Sequence, residues 1–240
     1  MRAMILAAGK GTRLLPLTQT TPKPLIDVAG RPMIAYALDL VRDAGISEVV
    51  INLHHLGDRI RSVLGDGSAH GVRITYSEEH PILDTGGAIA AARGFLDGGT
   101  FVVVNADIAT DVRLRDVIAF HRERHAVATM VLRPDANAAK YGIIEIDASQ
   151  RIRRFLGQPA EVAAPLTPLM FTGIHVFEPT LFAYMPHGIY SITRDVYPKL
   201  LVAGEPLFGY VHRGYWRVLD TPADLAAGRD ELARPSRPEV

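Results

Sequence analysis

Along the first hundred residues, apolar positions fall into two rhythms. Ala3–Leu6, Val49–Leu53, Val72–Tyr76 and Phe101–Asn105 read as strands, the first and last of them buried. Between them the spacing becomes helical. Met33, Ile34, Ala37, Leu38 and Val41 predict a helix that Pro32 opens at its first turn and Gly45 stops. Asp58–Leu64 reads as a short helix closed by a Gly65-Asp66-Gly67 turn, and Thr85–Leu96 as a helix of small residues. Strands alternating with helices predict an α/β fold, a mainly parallel sheet with helices on both faces.

The second half is more mixed. Leu114–Arg124, Thr180–Tyr184, Arg194–Leu201 and Pro222–Leu232 are helix candidates. Ala126–Leu132, Gly142–Ile146, Ile152–Phe155, Phe171–Phe177 and Leu207–His212 are strand candidates. No shift in composition marks a linker, so residues 1–233 are expected to form a single domain and 234–240 a loose tail.

Composition narrows the chemistry. The 240 residues fit one α/β domain, and the net charge is zero with no run of Lys or Arg, which argues against nucleic acid as a partner. There is no cysteine, so disulfides, thiolate metal sites and cysteine nucleophiles are excluded. No apolar run approaches the length of a membrane span. Met1-Arg2-Ala3 leads straight into the first strand, leaving no room for a signal peptide, and a cytoplasmic protein is expected. Oligomeric state is left open, a homo-oligomer included.

The densest chemistry lies in the first 25 residues. The apolar strand ends at Leu6 and runs into Ala7-Ala8-Gly9-Lys10-Gly11-Thr12-Arg13-Leu14, followed by Pro22-Lys23-Pro24. Glycines let a loop turn its N–H groups toward an anion, and small alanines let a flat base or a ribose approach the main chain. Arg13 offers a planar fork matched to phosphate oxygens, while Lys10 and Lys23 are point charges, the latter stiffened by its flanking prolines. The glycines fit neither the dinucleotide fingerprint nor the Walker pattern. Taken alone, Gly-x-Gly would be an ordinary turn with solvated cations.

The whole string, Leu-Ala-Ala-Gly-x-Gly-Thr-Arg-Leu, Pro-Leu-Thr and Pro-Lys-Pro-Leu in that order, resembles the sugar-1-phosphate nucleotidyltransferases. The resemblance spans about residues 3 to 232 and implies a Rossmann-like, glycosyltransferase-A-like domain. It lacks the C-terminal hexapeptide repeats many members carry, and so looks like the short form. It implies transfer of a nucleotidyl group from a nucleoside triphosphate to a sugar 1-phosphate with Mg²⁺. The implied nucleotide site is Leu6, Ala8, Gly9, Gly11 and Thr12. Arg13 would hold the leaving pyrophosphate and Lys23 the α-phosphate side. The chain looks most like bacterial enzymes making GDP-mannose-type or UDP-N-acetylmuramate-type products, with a lean to the guanylyl side.

Further strings carry the same resemblance. Asn105-Ala106-Asp107 ends a strand, where ligands of open parallel sheets sit, and implies that Asp107 holds the metal; on position alone Asp107 could equally cap a helix. Leu83-Asp84-Thr85-Gly86-Gly87 opens a helix and resembles the nucleotide-contacting segment; Asp84 could accept a base N–H or serve as a cap. Tyr141-Gly142 and Phe171-Thr172-Gly173 resemble the sugar-pocket stretches, with Thr172 a candidate donor to a sugar hydroxyl.

Two strings depart from the family. Where members have Trp-x-Asp-(Val/Ile)-Gly-Thr, with the aspartate as second metal ligand, this chain reads Trp216-Arg217-Val218-Leu219-Asp220-Thr221. Val218 takes the ligand position, and Asp220 is expected to be a weaker or water-mediated ligand, or a cap for the Pro222 helix. Where many members have Phe-x-Glu-Lys-Pro, with the lysine on the sugar phosphate, Gln158 replaces that lysine. These departures keep alive a second reading, a non-catalytic regulatory paralogue that binds a nucleotide sugar. A glycosyltransferase is a weaker third, since the loop with Arg13 suits a triphosphate better than a ready-made nucleotide sugar.

Overall fold

Alternate residues of the strands part to opposite faces of one sheet. Ala3 and Ile5 of β1 (Arg2–Leu6) join one core cluster and Met4 the other. Val102 and Val104 of β6 (Phe101–Asn105) go with the first, Phe101 and Val103 with the second. This two-residue period leaves both faces apolar, as a sheet covered on both sides requires. The computed structural model describes residues 1–136, 138, 142–159, 162–163 and 165–233. Tyr141 and the expected tail 234–240 lie outside the described residues.

The sheet runs β10-β9-β11-β6-β1-β4-β5, with β8 along β11 and β12 along β8. Here β4 is Glu48–Leu53, β5 Arg73–Glu78, β8 Ala128–Arg133, β9 Ile143–Ile146, β10 Ile152–Phe155, β11 Thr167–Phe177 and β12 Leu207–Val211. β1 is parallel to β4 and β6, and β4 to β5, so these strands end at a common edge. β11 runs antiparallel to β6, β8 and β9. The expected mainly parallel, mixed sheet is therefore found.

One face is covered by α1 (Ile34–Asp43), α2 (Gly57–Leu64) and α5 (Leu114–Glu123), whose Ile34, Leu38, Ile60 and Val117 are fully buried. The other is covered by α3 (Asp84–Ala91), the short α4 (Arg93–Leu96) and α6 (Tyr197–Val202) through Ile89, Leu96 and Tyr197. A third cluster gathers Leu14, Ile26, Val28, Met33, Ala109, Leu219 and Leu225. It ties the glycine loop to a two-stranded ribbon, β7 (Ile108–Thr110) with β13 (Trp216–Val218), and to α7 (Pro222–Leu232).

Three local expectations need correction. Pro32 does not open α1: it pairs with Asp27 in a small hairpin of β2 (Asp27–Val28) and β3 (Arg31–Pro32), and Met33 N–H is spent on the Ile26 carbonyl. The helix expected over Thr85–Leu96 breaks at Ala92 into α3 and α4, and Arg2 donates to the Phe95 carbonyl at 2.6 Å in the second piece. Arg194 belongs not to α6 but to a π-type turn, Ile192–Val196, before it.

Candidate active site

The shared carboxyl edge of the parallel strands carries a cleft of about 460 Å³. Leu6 at the end of β1 with Ala7 and Ala8 beyond it, Asn52 in β4, Glu79 after β5, and Asn105 at the end of β6 with Ala106 and Asp107 beyond it line the cleft. So do Gly9–Arg13 and Lys23, Asp84 and Thr85, and Asp220. Of the expected nucleotide positions, Leu6, Ala8, Gly9, Gly11, Thr12, Asp84 and Thr85 are thus brought to one concavity.

The loop holds its shape through its own side chains. Gly11 has φ +63°, and a Cβ there would stand 2.8 Å from Thr18 Cγ2 and 3.0 Å from Lys23 Cβ. Only glycine accepts both that conformation and that approach. Thr18 Oγ1 donates to the Gly11 carbonyl at 2.9 Å, closing the loop on itself. A Cβ on Gly9 would meet no protein atom within 4 Å, so the protein's packing does not require that glycine.

Four charges meet at one end of the cleft. Lys23 Nζ donates to Asp107 Oδ2 at 2.5 Å and to Asp220 Oδ1 at 2.8 Å. Arg13 forms an ion pair with the other oxygen of Asp220. The ribbon explains how Asp220 arrives: Val218 pairs with Ile108, and Leu219 N–H donates to the Asp107 carbonyl at 2.8 Å. Leu14 and Leu219 are buried in the same third cluster, which brings their neighbours Arg13 and Asp220 together. Asp220 is not the cap of α7. Thr221 fills that position in a reciprocal box with Asp224.

Beside this cluster lies a network that motif reading does not reveal. Ala7 N–H donates to Asn52 Oδ1 at 2.7 Å, Asn52 Nδ2 to Glu79 Oε1 at 2.7 Å, and Leu83 N–H to Glu79 Oε2 at 2.8 Å. Asn52 and Glu79 are 4% and 1% exposed, so these bonds replace water outright. The chain of bonds laces the ends of β1, β4 and β5 to the start of α3. The signal in the sequence was Asn52 itself, a polar residue inside the apolar Val49–Leu53 run.

At the start of α3, Asp84 adopts φ +58°, accepts Thr85 N–H at 2.6 Å and receives Arg194 Nη2 at 3.1 Å, while Leu83, not Asp84, is the N-cap residue. Thr85 Oγ1 accepts Ile192 N–H at 3.0 Å. The glycines after it serve packing rather than close approach of a ligand. A Cβ on Gly86 would stand 2.4 Å from the Tyr190 ring, and one on Gly87 2.5 Å from the Gly188 carbonyl.

The residues expected to line a sugar pocket are more scattered. Thr172 is buried and donates its hydroxyl to the Val131 carbonyl at 2.8 Å, so that donor is already committed within the protein. Gly173, at φ +93°, is where β11 shifts register, and a Cβ there would meet the Asn105 side chain at 3.0 Å. Gly142, at φ +91°, packs against Leu156. Gln158 lines a second cavity with Arg151, Phe155 and Leu201 instead of the main cleft.

For a divalent cation, the donor set on offer is the pair of carboxylates Asp107 and Asp220, hard oxygens of the kind Mg²⁺ takes. Among the described residues no group of three or more His, Asp or Glu gathers for a metal. Mg²⁺ keeps several waters and binds through one or two carboxylates plus substrate phosphates, so the pair fits it.

A family model described as nucleotidyl transferase matches residues 2–233. The chain belongs to the nucleotidyl transferase family. Among relatives, it is 41% identical over 234 residues to an N-acetylmuramate alpha-1-phosphate uridylyltransferase of Neisseria meningitidis, spanning 94% of this chain and 95% of that protein. It is 36% identical to a mannose-1-phosphate guanylyltransferase of Mycobacterium tuberculosis, over 97% of this chain and 64% of that one. A UTP–glucose-1-phosphate uridylyltransferase of Synechocystis is 38% identical over 87% of this chain and 57% of its own length. The chain therefore spans less than two thirds of the latter two curated relatives. In fold it superposes on HddC of Yersinia pseudotuberculosis, solved with GMP-PN, with a TM-score of 0.80 at 22% identity, covering 96% of this chain and 99% of that one. The Rossmann-like, glycosyltransferase-A-like class expected of a nucleotidyl transferase is the class found. No helix among the described residues is long and apolar enough to cross a membrane.

Proposed function

We propose that this protein joins a nucleoside triphosphate and a sugar 1-phosphate, releasing pyrophosphate and a nucleotide sugar. The observation that carries the reading is the convergence of Arg13, Lys23, Asp107 and Asp220 on one end of a cleft walled by the Ala7–Thr12 loop. A phosphate oxygen of the sugar 1-phosphate attacks the α-phosphorus. The bond from the α-phosphorus to the bridging oxygen breaks, and that oxygen leaves with the pyrophosphate. No net proton or electron is exchanged.

The protein's part is alignment and charge. Arg13, exposed at the rim, matches the leaving pyrophosphate. Lys23, buried between its prolines, offsets charge at the α-phosphate. Gly9, Gly11 and Thr12 cradle the phosphates, and Leu6 and Ala8 give the base or ribose a close wall. Asp107 and Asp220 would hold a Mg²⁺, which supplies Lewis-acid neutralisation of phosphate charge when bound. Asp220's approach to Lys23 weighs against the part of the regulatory-paralogue reading that leaned on Val218, while the part that leaned on Gln158 stands.

Uridine triphosphate with N-acetylmuramate 1-phosphate is the first pair to try, because the relative matched end to end bears that name. Guanosine triphosphate with mannose 1-phosphate is the second. The test is pyrophosphate release across a panel of triphosphates and sugar 1-phosphates with Mg²⁺. Turnover with one pair well above the rest is expected. Tight binding of a nucleotide sugar with no turnover for any pair would overturn the reading in favour of the regulatory paralogue.

A further inference from the structure

We propose that Lys23 is the resident cation of the nucleotide-free cleft: its ammonium keeps Asp107 and Asp220 from a divalent metal until a triphosphate draws it away. The inference rests on the reading that these two carboxylates take the metal.

The geometry of the four charges carries it. Lys23 Nζ lies 2.5 Å from Asp107 Oδ2 and 2.8 Å from Asp220 Oδ1, bridging the two carboxylates as a metal would. Arg13 engages the other oxygen of Asp220, so both oxygens of that carboxylate already face a positive partner. A metal on the same oxygens would stand a few ångströms from the ammonium with no anion between them. In a partly buried site that repulsion is far stronger than in water. The Lys23 side chain is only 10% exposed, and its stem is hemmed by Gly11, so the ammonium cannot swing freely into solvent.

An ammonium has three protons, and two of them go to the carboxylates. Lys23 lines the cleft, where a phosphate oxygen can take the third. A triphosphate brings several negative charges to Lys23 and Arg13 at once. Both cations can then exchange carboxylate for phosphate, and the freed carboxylates can receive the metal that travels with the nucleotide. The four side chains change partners without any of them being left unpaired. Lys23 thus has two successive tasks: it shields the empty site, and it then neutralises the substrate.

The test measures metal, not turnover, so it stands apart from the pyrophosphate assay. Mn²⁺ binding to nucleotide-free protein is followed by the electron paramagnetic resonance of free Mn²⁺, comparing wild type with Lys23→Met and Lys23→Gln. If the lysine-bound form dominates the free protein, removing the ammonium should tighten Mn²⁺ by roughly tenfold or more. Equal or weaker binding by a folded variant would overturn the proposal. Wild-type crystals make the test independent of variant folding. Soaked in Mn²⁺ alone, they should show no anomalous peak at either carboxylate. Soaked in Mn²⁺ with a non-hydrolysable triphosphate, they should show a peak at Asp107 and Asp220 and Lys23 Nζ moved onto a phosphate. A peak at either carboxylate without nucleotide overturns the proposal. A metal on neither carboxylate in the triphosphate complex overturns the metal reading beneath it, and nucleotidyl transfer is then judged by pyrophosphate release alone.

Discussion

Lys23 Nζ and Asp220 Oδ1 lie 2.8 Å apart across 197 residues of chain. Motif register had assigned the second carboxylate's place to Val218 and only a minor part to Asp220. With Asp220 within hydrogen-bonding distance of the lysine, as Asp107 is, the two carboxylates should matter alike. Asp107→Asn and Asp220→Asn are each expected to lower turnover by about 10²–10³-fold, and Lys23→Ala by a similar factor at saturating substrate. Steady-state pyrophosphate release checks this. Near-wild-type turnover in Asp220→Asn would reduce Asp220 to an anchor for Arg13.

Asn52 is predicted to be a large contributor to stability for its size. Asn52→Leu keeps the branched shape but strands the Ala7 N–H and removes a donor from the buried Glu79 carboxyl group. Two buried polar groups losing partners should cost about 2–4 kcal/mol, read as a shift of the urea midpoint. A loss below about 0.5 kcal/mol would mean that water takes over both bonds.

Arg194 should compete with a base for the Asp84 carboxylate. If Asp84 accepts a base N–H, Asp84→Ala should raise the KM for the preferred triphosphate and erode discrimination between uridine and guanosine triphosphates by about 1–3 kcal/mol. Arg194→Ala, which frees Asp84 Oδ2, should lower that KM. An unchanged kcat/KM ratio between the two triphosphates in Asp84→Ala would leave Asp84 as the acceptor of Thr85 N–H and the partner of Arg194.

The fold should weaken in acid through His175. Burial pushes its imidazole down to about 3, and its Nδ1 sits 2.8 Å from the Tyr197 hydroxyl between aromatic rings. The unfolded chain binds this proton near pH 6.5, so stability is full above that value. It falls by about 1.4 kcal/mol per pH unit as pH drops from there toward 3. His121, also lowered by burial and held against Glu178, adds a contribution of the same sign. Denaturation curves between pH 7 and 4 should show a shallower slope in the double variant His175→Phe, Tyr197→Phe. An unaltered slope would assign the acid sensitivity to His121 and the carboxylates.

Much of the first half of the fold was legible because β1, β4 and β6 are largely apolar runs and α1 and α2 carry one-sided apolar stripes. Val102 and Ile60 needed no tertiary knowledge to be placed in a core. The short ribbon of β7 and β13 was not legible, because three-residue strands carry almost no period of their own. That gap hid how Asp220 reaches Lys23. Glu79 was missed because Ser77-Glu78-Glu79-His80 looks like a solvated turn, while only the pairing of β4 with β5 puts Glu79 beside Asn52. The glycines at 86 and 87 were legible as necessary but not as to why, since Tyr190 and Gly188 come from a distant segment.

The third core cluster has a consequence for how the protein is made. It takes Leu14 from the opening loop and Leu219 and Leu225 from the last elements, so the charged end of the cleft is a late product of synthesis. On a ribosome adding about 5–20 residues per second, the glycine loop waits roughly ten to forty seconds before residues 219 and 220 exist. During that interval the parallel strands can already pair, while Arg13 and Lys23 have no Asp220 to hold. Lys23 can hold Asp107 as soon as β6 and its end are made, whereas the carboxylate partner of Arg13 arrives only with the last elements.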